Sequence, residues 1–259
     1  MKGTALITGA TGGLGIEFAR IHAAKGGDLV LVARSRDKLE SMKAELETIH
    51  GISVAIFAQD LSVAGSAQKV FLQTQSAGIE ISVLINNAGF GGHGNFHEQD
   101  LAWNEAMMQL NMNTLVSLTH LYLTPMVQRG RGEILNVAST AAFMPGPLQA
   151  VYYATKAFVL SFSQAIAEEL SGTGVMVTTL CPGPVNTGFV EAGGLEGVRA
   201  FRNAASAESV ANCGYNAMEK GKLVTINNGL LGFVLNWVLP LFPRKTLLKI
   251  SRKAMEKSG

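Results

Sequence analysis

The chain has 259 residues, of which 47% are hydrophobic and 15% are charged. Globular proteins have about 25% charged residues, and disordered chains combine low hydrophobicity with high net charge, so this composition excludes a disordered protein. The net charge of +2 provides no general attraction to nucleic acid. The two cysteines, Cys181 and Cys213, and the five histidines have no metal-ligand spacing, so we expect neither a metal site nor a disulfide framework.

Short apolar runs alternate with longer segments of helical periodicity. The predicted strands are Thr4–Thr8, Leu29–Ala33, Ser53–Ala58, Val83–Asn86, Glu133–Ala138, Val175–Cys181 and Leu223–Ile226. The predicted helices are Leu14–Lys25, Asp37–Ile49, Ala64–Ala77, Asp100–Gln128, Val151–Leu170 and Ala207–Lys220. This alternation is typical of βαβ units, and continuous apolar strands indicate a sheet that is covered on both faces. We predict one α/β domain over residues 1–228, a doubly wound parallel sheet of about seven strands in a three-layer sandwich.

Residues 229–259 are predicted to be a helical extension, first apolar and then basic. The stretch Arg244–Gly259 contains six basic residues and one acidic residue, so it carries +5 and the remainder of the chain carries −3. The apolar stretch Leu230–Phe242 contains Asn236 and Pro240 and is shorter than the ~20 residues of a membrane-spanning helix. Two interpretations remain open, packing on protein and peripheral contact with a membrane surface. The apolar run at the N-terminus is too short for a signal peptide, so we expect a cytoplasmic protein.

A glycine-rich turn joins the first predicted strand to the first predicted helix. It reads Thr8-Gly9-Ala10-Thr11-Gly12-Gly13-Leu14-Gly15. Exposed backbone N–H groups at a helix N-terminus favour an anion, and glycine allows the backbone to turn sharply and approach it. The sequence therefore predicts a site for a dinucleotide pyrophosphate, although a glycine-rich turn alone is also found in purely structural roles.

Four motifs in order resemble the short-chain dehydrogenase/reductase family, which has a Rossmann-type fold. They are the Thr-Gly-x3-Gly-x-Gly turn, Asn86-Asn87-Ala88-Gly89 after the fourth strand, Tyr152-x3-Lys156 in the helix predicted after the fifth strand, and Pro182-Gly183-Pro184-Val185-Asn186-Thr187 after the sixth strand. The resemblance covers Thr4 to about Thr187. It implies cofactor contacts from Gly9, Thr11, Gly13, Leu14, Gly15, Asp60, Leu61, Asn87, Ala88, Gly89, Tyr152, Lys156, Pro182, Gly183, Val185 and Thr187. Among these, Asp60 and Leu61 would meet the adenine, and Val185 and Thr187 the nicotinamide carboxamide.

The end of the second strand bears on which dinucleotide is bound. A carboxylate there would bind the ribose 2′-hydroxyl of NAD, but the sequence has Arg34-Ser35-Arg36 instead. The guanidinium of Arg34 is suited to a 2′-phosphate, so the sequence favours NADP(H) over NAD(H). The alternative is that Arg34 and Arg36 are simply solvated at a helix start, where arginine opposes the helix dipole.

The predicted catalytic residues are Asn111, Ser139, Tyr152 and Lys156. Tyr152 and Lys156 stand four residues apart on one helix face, so the ammonium is expected to lower the tyrosine pKa toward the range of a general acid. Tyr153 has no lysine at that spacing. The resemblance implies that Ser139 orients the substrate carbonyl and that Asn111 holds a water in a proton relay, with Asn113 as a nearby alternative.

These observations predict an NADP(H)-dependent oxidoreductase acting on a carbonyl or a secondary alcohol. Apolar residues near 142–148 and 189–201 suit a hydrophobic substrate, steroid-like or fatty acyl, better than a sugar, and ordinary core packing is an equal alternative for them. The alternatives are a reductase of 3-oxoacyl thioesters and a non-catalytic NADP-binding regulator. The resemblance also implies a homodimer or homotetramer through the two long helices.

Overall fold

The computed structural model describes residues 3–257. Its central sheet has seven parallel strands in the order β3-β2-β1-β4-β5-β6-β9. These strands are β1 Thr4–Thr8, β2 Leu29–Ala33, β3 Val54–Ala58, β4 Ile81–Asn86, β5 Gly132–Val137, β6 Val175–Leu180 and β9 Val224–Thr225. Two further short strands, β7 Val185–Asn186 and β8 Ala205–Ser206, pair with each other in parallel. The order reverses between β1 and β4, which places a crevice at the carboxyl ends of these strands.

The helices cover both faces of the sheet. They are α1 Gly13–Ala24, α2 Arg36–His50, α3 Ser66–Ser76, α4 Leu101–Met108, α5 Leu115–Gln128, α6 Ala150–Glu169, α7 Phe189–Ala192, α8 Ala207–Glu219, α9 Gly229–Phe233 and α10 Arg244–Met255. One core lies between the sheet and α1, α2 and α8, and the other lies between the sheet and α3, α5 and α6. The predicted doubly wound three-layer α/β fold is confirmed. Among the described residues, no helix is both long and apolar enough to cross a bilayer.

The strand and helix boundaries agree with the predictions to within two residues, with one clear exception. The single helix predicted over Asp100–Gln128 is interrupted by a π-helical segment, Gln109–Thr114, between α4 and α5. Such wide turns insert an extra residue into a helix and are frequent at functional sites. Here the wide turn contains Asn111, whose side chain bonds to backbone outside the helix. The paired strands β7 and β8 were not predicted, because two-residue strands carry no periodicity.

Candidate active site

The glycine-rich turn forms the floor of the crevice beside β1. Gly9 and Gly13 have positive φ angles of 64° and 46°, and a Cβ on Gly15 would lie 2.2 Å from the carbonyl oxygen of Gly9. Glycine is therefore required at these positions by the backbone itself. At Gly12 the opposite holds, since a Cβ there would meet nothing within 4 Å. The N-terminus of α1 has no side-chain cap and no acidic residue in its first turn, so its N–H groups and dipole suit an anionic ligand.

The turn after β4 is tied to the glycine-rich turn. The Thr8 hydroxyl accepts hydrogen bonds from the backbone N–H groups of Asn87 and Ala88, both at 3.0 Å. The Asn87 amide donates to the carbonyl oxygens of Thr8 and Gly9, at 2.9 and 3.3 Å. Asn87 thus fixes the shape of the cleft with its side chain. Thr8 has the same role, which the sequence analysis does not predict. Its sequence signal is a threonine at the end of β1, directly before Gly9.

Segment 182–187 lies over the same turn from the other side. A Cβ on Gly13 would come within 3.0 Å of Thr187, which places Thr187 directly above the start of α1. The Pro182 carbonyl accepts a hydrogen bond from the Thr140 N–H at 2.9 Å, and the Gly183 N–H donates to the Asn227 side chain at 2.9 Å. Residues predicted from three separate motifs therefore converge on one cleft. Thr11, Leu14, Gly89 and Val185 lie in these same segments.

Arg34 lies at the outer end of the cleft, where β2 ends. Its side chain is exposed, and within residues 3–257 it forms no salt bridge. Its positive charge helps to lower the pKa of Asp60, although the larger cause is a hydrogen bond from Ser62. Asp60 is exposed, whereas the side chain of its neighbour Leu61 is buried in the core. Of that pair, only Asp60 therefore presents a side chain at the surface.

Ser139, Tyr152 and Lys156 meet at the carboxyl end of β5. The Tyr152 phenol is hydrogen-bonded to the Ser139 side chain. The Ser139 hydroxyl also accepts a hydrogen bond from the Ala141 N–H at 3.1 Å. The Lys156 Nζ donates to the Val137 carbonyl oxygen at 2.9 Å and lies 5.7 Å from the centroid of the Tyr152 ring. The helix spacing thus brings the tyrosine and the lysine to one side of the cleft beside the strand-end serine. Tyr153 points elsewhere, into an apolar cluster.

The expected lowering of the Tyr152 pKa by Lys156 is not found. Burial raises the Tyr152 pKa above that of a free phenol, and the hydrogen bond with Ser139 offsets only part of that rise. Burial also lowers the pKa of Lys156 to about 8. The prediction rested on the attraction between the ammonium and the phenolate. Removal of both groups from water has the larger effect on their pKa values here.

Asn111 joins the π-helical segment to the catalytic side of the cleft. Its carboxamide exchanges two hydrogen bonds with the Phe90 backbone, at 3.2 and 3.0 Å, and donates a third to Thr155 at 3.1 Å. A Cβ on Gly89 would meet both the Asn111 Oδ1 at 3.0 Å and the Lys156 Nζ at 3.4 Å, so those two groups flank the same glycine. Asn113 instead bonds to Gln109 on the exposed surface. The structure therefore places the side chain of Asn111, and not that of Asn113, close to Lys156.

Apolar side chains form a wall beside Tyr152, here called the apolar wall. The Phe189 ring packs on the Tyr152 ring with 5.4 Å between centroids. Behind it lies a cluster that contains Leu148, Tyr153, Leu195, Phe201 and Met255. Leu148 has a φ of 70°, a conformation that costs on the order of 1–3 kcal/mol in a non-glycine residue. Its carbonyl accepts a bond from the Gly94 N–H at 2.9 Å, which ties the loop of residues 91–94 to this wall.

The C-terminal helix α10 closes this wall from outside. Met255 is buried in the cluster, and its carbonyl is hydrogen-bonded to His93 at 2.8 Å. Val198 pairs with Lys257, and the Arg199 N–H donates to the Glu256 carbonyl oxygen at 3.2 Å. The end of the basic segment therefore packs on protein, in agreement with one of the two interpretations of the extension.

The family model of short chain dehydrogenases matches residues 3–194. Among curated proteins, the chain is 37% identical over 186 residues to the very-long-chain 3-oxoacyl-CoA reductase of Pyrenophora tritici-repentis, covering 68% of this chain and 53% of that protein. It is 36% identical to the ketoacyl reductase HetN of Nostoc sp., covering 71% of this chain and 63% of that protein. The chain thus spans somewhat more than half of the length of these relatives.

Solved structures match over nearly the whole chain. A short-chain dehydrogenase from Sphingobium yanoikuyae in complex with NADPH has a TM-score of 0.85 and 30% identity, covering 97% of both chains. A 7beta-hydroxysteroid dehydrogenase has a TM-score of 0.84 and 26% identity, covering 96% of both chains. Together with the match over residues 3–194, this shows that the chain belongs to the short-chain dehydrogenase family of oxidoreductases.

Proposed function

We propose that this protein is an NADP(H)-dependent oxidoreductase that interconverts a carbonyl and a secondary alcohol on a hydrophobic substrate. The observation that carries the proposal is the meeting of Ser139, Tyr152 and Lys156 beside an uncapped helix N-terminus at one sheet edge. The same cleft is bounded by the glycine-rich turn and by Thr187. The NADPH complex of the related Sphingobium protein supports the choice of dinucleotide.

The residues of the chain have distinct roles in this proposal. NADP(H), when bound, supplies or accepts the hydride. The N-terminus of α1 holds the pyrophosphate, and Arg34 binds the 2′-phosphate through its planar guanidinium. Ser139 donates a hydrogen bond to the substrate oxygen, and Tyr152 gives that oxygen its proton when a carbonyl is reduced. The ammonium of Lys156 stabilises the phenolate that remains. Asn111 positions the backbone of Phe90 and the side chain of Thr155 behind them.

The apolar wall supports a hydrophobic substrate. Phe189 packs directly on Tyr152, so an apolar ring borders the place where a substrate oxygen would meet the phenol. A second candidate, reduction of a 3-oxoacyl thioester, is favoured by the names of the curated relatives, which are very-long-chain 3-oxoacyl-CoA reductases and a ketoacyl reductase. Both candidate reactions use the same residues. They differ in the part of the substrate that packs against the apolar wall. We also retain, as parts of this proposal, a homo-oligomeric assembly and a cytoplasmic location.

The first experiment is a titration of NADPH and NADH against the purified protein, followed by nicotinamide fluorescence. We expect tighter binding of NADPH, and we expect Arg34→Ala to remove at least tenfold of that preference, because a charge-assisted bidentate contact contributes about 1.5–3 kcal/mol. Arg36→Ala is the matched control, since the Arg36 side chain pairs with Glu40 at 3.7 Å. Equal binding of the two dinucleotides would contradict the NADP(H) assignment. Binding without turnover of any carbonyl would favour the regulator.

A substrate comparison then separates the two candidates. NADPH oxidation is measured with a 3-oxoacyl-CoA and with a free ketone of the same chain length. A kcat/KM that is higher for the thioester, and that depends on the CoA moiety, supports the thioester reductase. Equal values, or a preference for a bulky free ketone, support the broader proposal.

A further inference from the structure

The C-terminal extension presents a row of large apolar side chains to solvent, here called the apolar ridge. The ridge consists of Leu230, Phe233, Trp237, Leu241 and Phe242, which are exposed by 75%, 58%, 70%, 82% and 43%. Single exposed apolar residues are ordinary on protein surfaces, but five within thirteen residues form a patch that requires a partner.

The orientation of the ridge is fixed by the opposite side of the same segment. Leu235 and Leu239 are buried, with exposed fractions of 3% and 9%. The segment is anchored where Asn227 bonds to Gly183 and where the Asn228 side chain caps α9 through the Leu231 N–H. The segment is therefore apolar on both sides, and the fold of this chain covers only one of them. A helical segment that is apolar all round is normally buried all round.

The ridge is followed immediately by a basic helix. Helix α10 exposes Arg244, Lys245, Lys249, Arg252 and Lys253, together with the apolar side chains Leu248 and Ile250. Its orientation is also fixed, because Ser251 and Met255 are buried against the body of the protein. Within residues 3–257, Arg252 alone among these basic residues forms an ion pair, with Glu256 at 3.9 Å. An apolar surface with Trp and Phe and a flank of exposed basic charge is the composition of interfacial membrane-binding segments.

We propose that the apolar ridge and the basic face of α10 dock the protein onto the surface of an anionic membrane. The positive charge of α10 favours a membrane over a second copy of the chain as the partner of the apolar ridge. In a two-fold dimer centred on the ridge, each basic helix would approach its own symmetry mate, and like charges would meet. In contrast, each basic residue near an anionic lipid surface raises the affinity of the protein for that surface roughly fivefold. The proposal does not depend on the reaction that the protein catalyses.

The test is co-sedimentation of the full-length protein with vesicles. We expect binding to vesicles of phosphatidylcholine mixed with phosphatidylglycerol, and much weaker binding to vesicles of phosphatidylcholine alone. Trp237 reports insertion directly: in a Trp103→Phe background it is the sole tryptophan, and its emission should shift to the blue when anionic vesicles are added. No binding to anionic vesicles at low ionic strength would overturn the proposal.

Two double variants and two controls separate the contributions. Trp237→Ser with Leu241→Ser should abolish binding, and because both side chains are exposed the fold should persist, as circular dichroism would show. Lys245→Glu with Lys249→Glu should weaken binding by more than about 30-fold, because loss of two basic residues accounts for that factor and the two new carboxylates are repelled by the anionic surface. The controls make the same changes elsewhere, Ile49→Ser with Leu72→Ser and Lys69→Glu with Lys220→Glu, at exposed positions. If a control variant lost as much vesicle binding as the corresponding variant of the ridge or of α10, that result would contradict a specific docking face. So would a change from dimer to monomer in the Trp237 and Leu241 variant, seen by sedimentation velocity, with no binding to vesicles in any form.

Discussion

The ammonium group of Lys156 donates a hydrogen bond to the carbonyl oxygen of Val137, 2.9 Å away. This contact holds the lysine beneath the carboxyl end of β5, at 5.7 Å from the centroid of the Tyr152 ring. One carbonyl does not replace the water that the ammonium loses, and burial lowers the pKa of Lys156 to about 8. The charge on which the tyrosine depends is therefore lost as the pH rises through about 8.

A pH profile follows from this pKa. For carbonyl reduction, kcat/KM with NADPH reports the free enzyme, in which Tyr152 must carry its proton and Lys156 must be charged. The raised pKa of Tyr152 keeps the phenol protonated, so the lysine sets the alkaline limit. We expect kcat/KM to be level below pH 8 and to fall about tenfold per pH unit above it.

The variant Lys156→Arg provides the control for that profile. An arginine remains charged throughout this range, so its lower activity should no longer fall between pH 8 and 10. An alkaline limb that is unchanged in Lys156→Arg would assign the titration to another group.

Substitution of the proton donor tests the chosen tyrosine. Tyr152→Phe retains the ring that packs on Phe189 and removes only the hydroxyl, so we expect kcat to fall about a thousandfold with the NADPH affinity nearly unchanged. Tyr153→Phe is the matched control and should lower kcat far less, because that ring lies in the apolar cluster. Steady-state kinetics with a titration of NADPH measures both, and similar losses in the two variants would refute the assignment.

Two glycines of the same turn should respond differently to alanine. At Gly15 the new Cβ would lie 2.2 Å from the backbone oxygen of Gly9, so Gly15→Ala should destabilise the protein by about 3 kcal/mol in urea unfolding. At Gly12 the Cβ would meet no protein atom within 4 Å, so Gly12→Ala should keep its stability. If the pyrophosphate lies on that helix N-terminus, Gly12→Ala should still weaken NADPH binding. Unchanged affinity in Gly12→Ala would place the dinucleotide elsewhere.

Glu133 makes stability depend on pH. Burial and the nearby charge of Glu219 raise its pKa from 4.5 to about 7, and no group in the described part of the chain forms a hydrogen bond with its buried Oε2. As the pH rises, the Glu133 carboxyl therefore loses its proton in the unfolded chain before it does so in the folded protein. Its contribution to the free energy of unfolding is fully present below about pH 4.5 and is lost as the pH rises through about 7.

Glu133→Gln should consequently raise the free energy of unfolding at pH 8 by on the order of 1 kcal/mol, with allowance for partial solvent screening, and change it little at pH 5. Urea unfolding at the two pH values measures the difference. Glu105→Gln, at an exposed position, should show no such dependence. A gain for Glu133→Gln that is equal at both pH values would point to a cause other than ionisation.

Much of the fold could be predicted because its signals are local. The continuous apolar run Leu29–Ala33 predicts a fully buried strand, and all five of its residues are buried in the structure. The spacing of Tyr152 and Lys156 likewise predicts that both lie on one helix face, since the periodicity of a helix is a property of consecutive residues. The break in the helix at Gln109–Thr114 could not be predicted in this way, because it accompanies bonds from Asn111 to Phe90 and Thr155, which are distant in sequence.

The sequence by itself determined the α/β alternation, the glycine positions of the turn and the choice of candidate catalytic side chains, because each depends on neighbours within one or two turns of chain. Tertiary structure alone decided the pKa values of Tyr152 and Lys156, since burial is set by elements far apart in sequence. It also decided which side of residues 229–242 is covered. Leu235 and Leu239 are as apolar as Leu230 and Leu241, and only the position of the rest of the chain makes one pair core and the other pair surface.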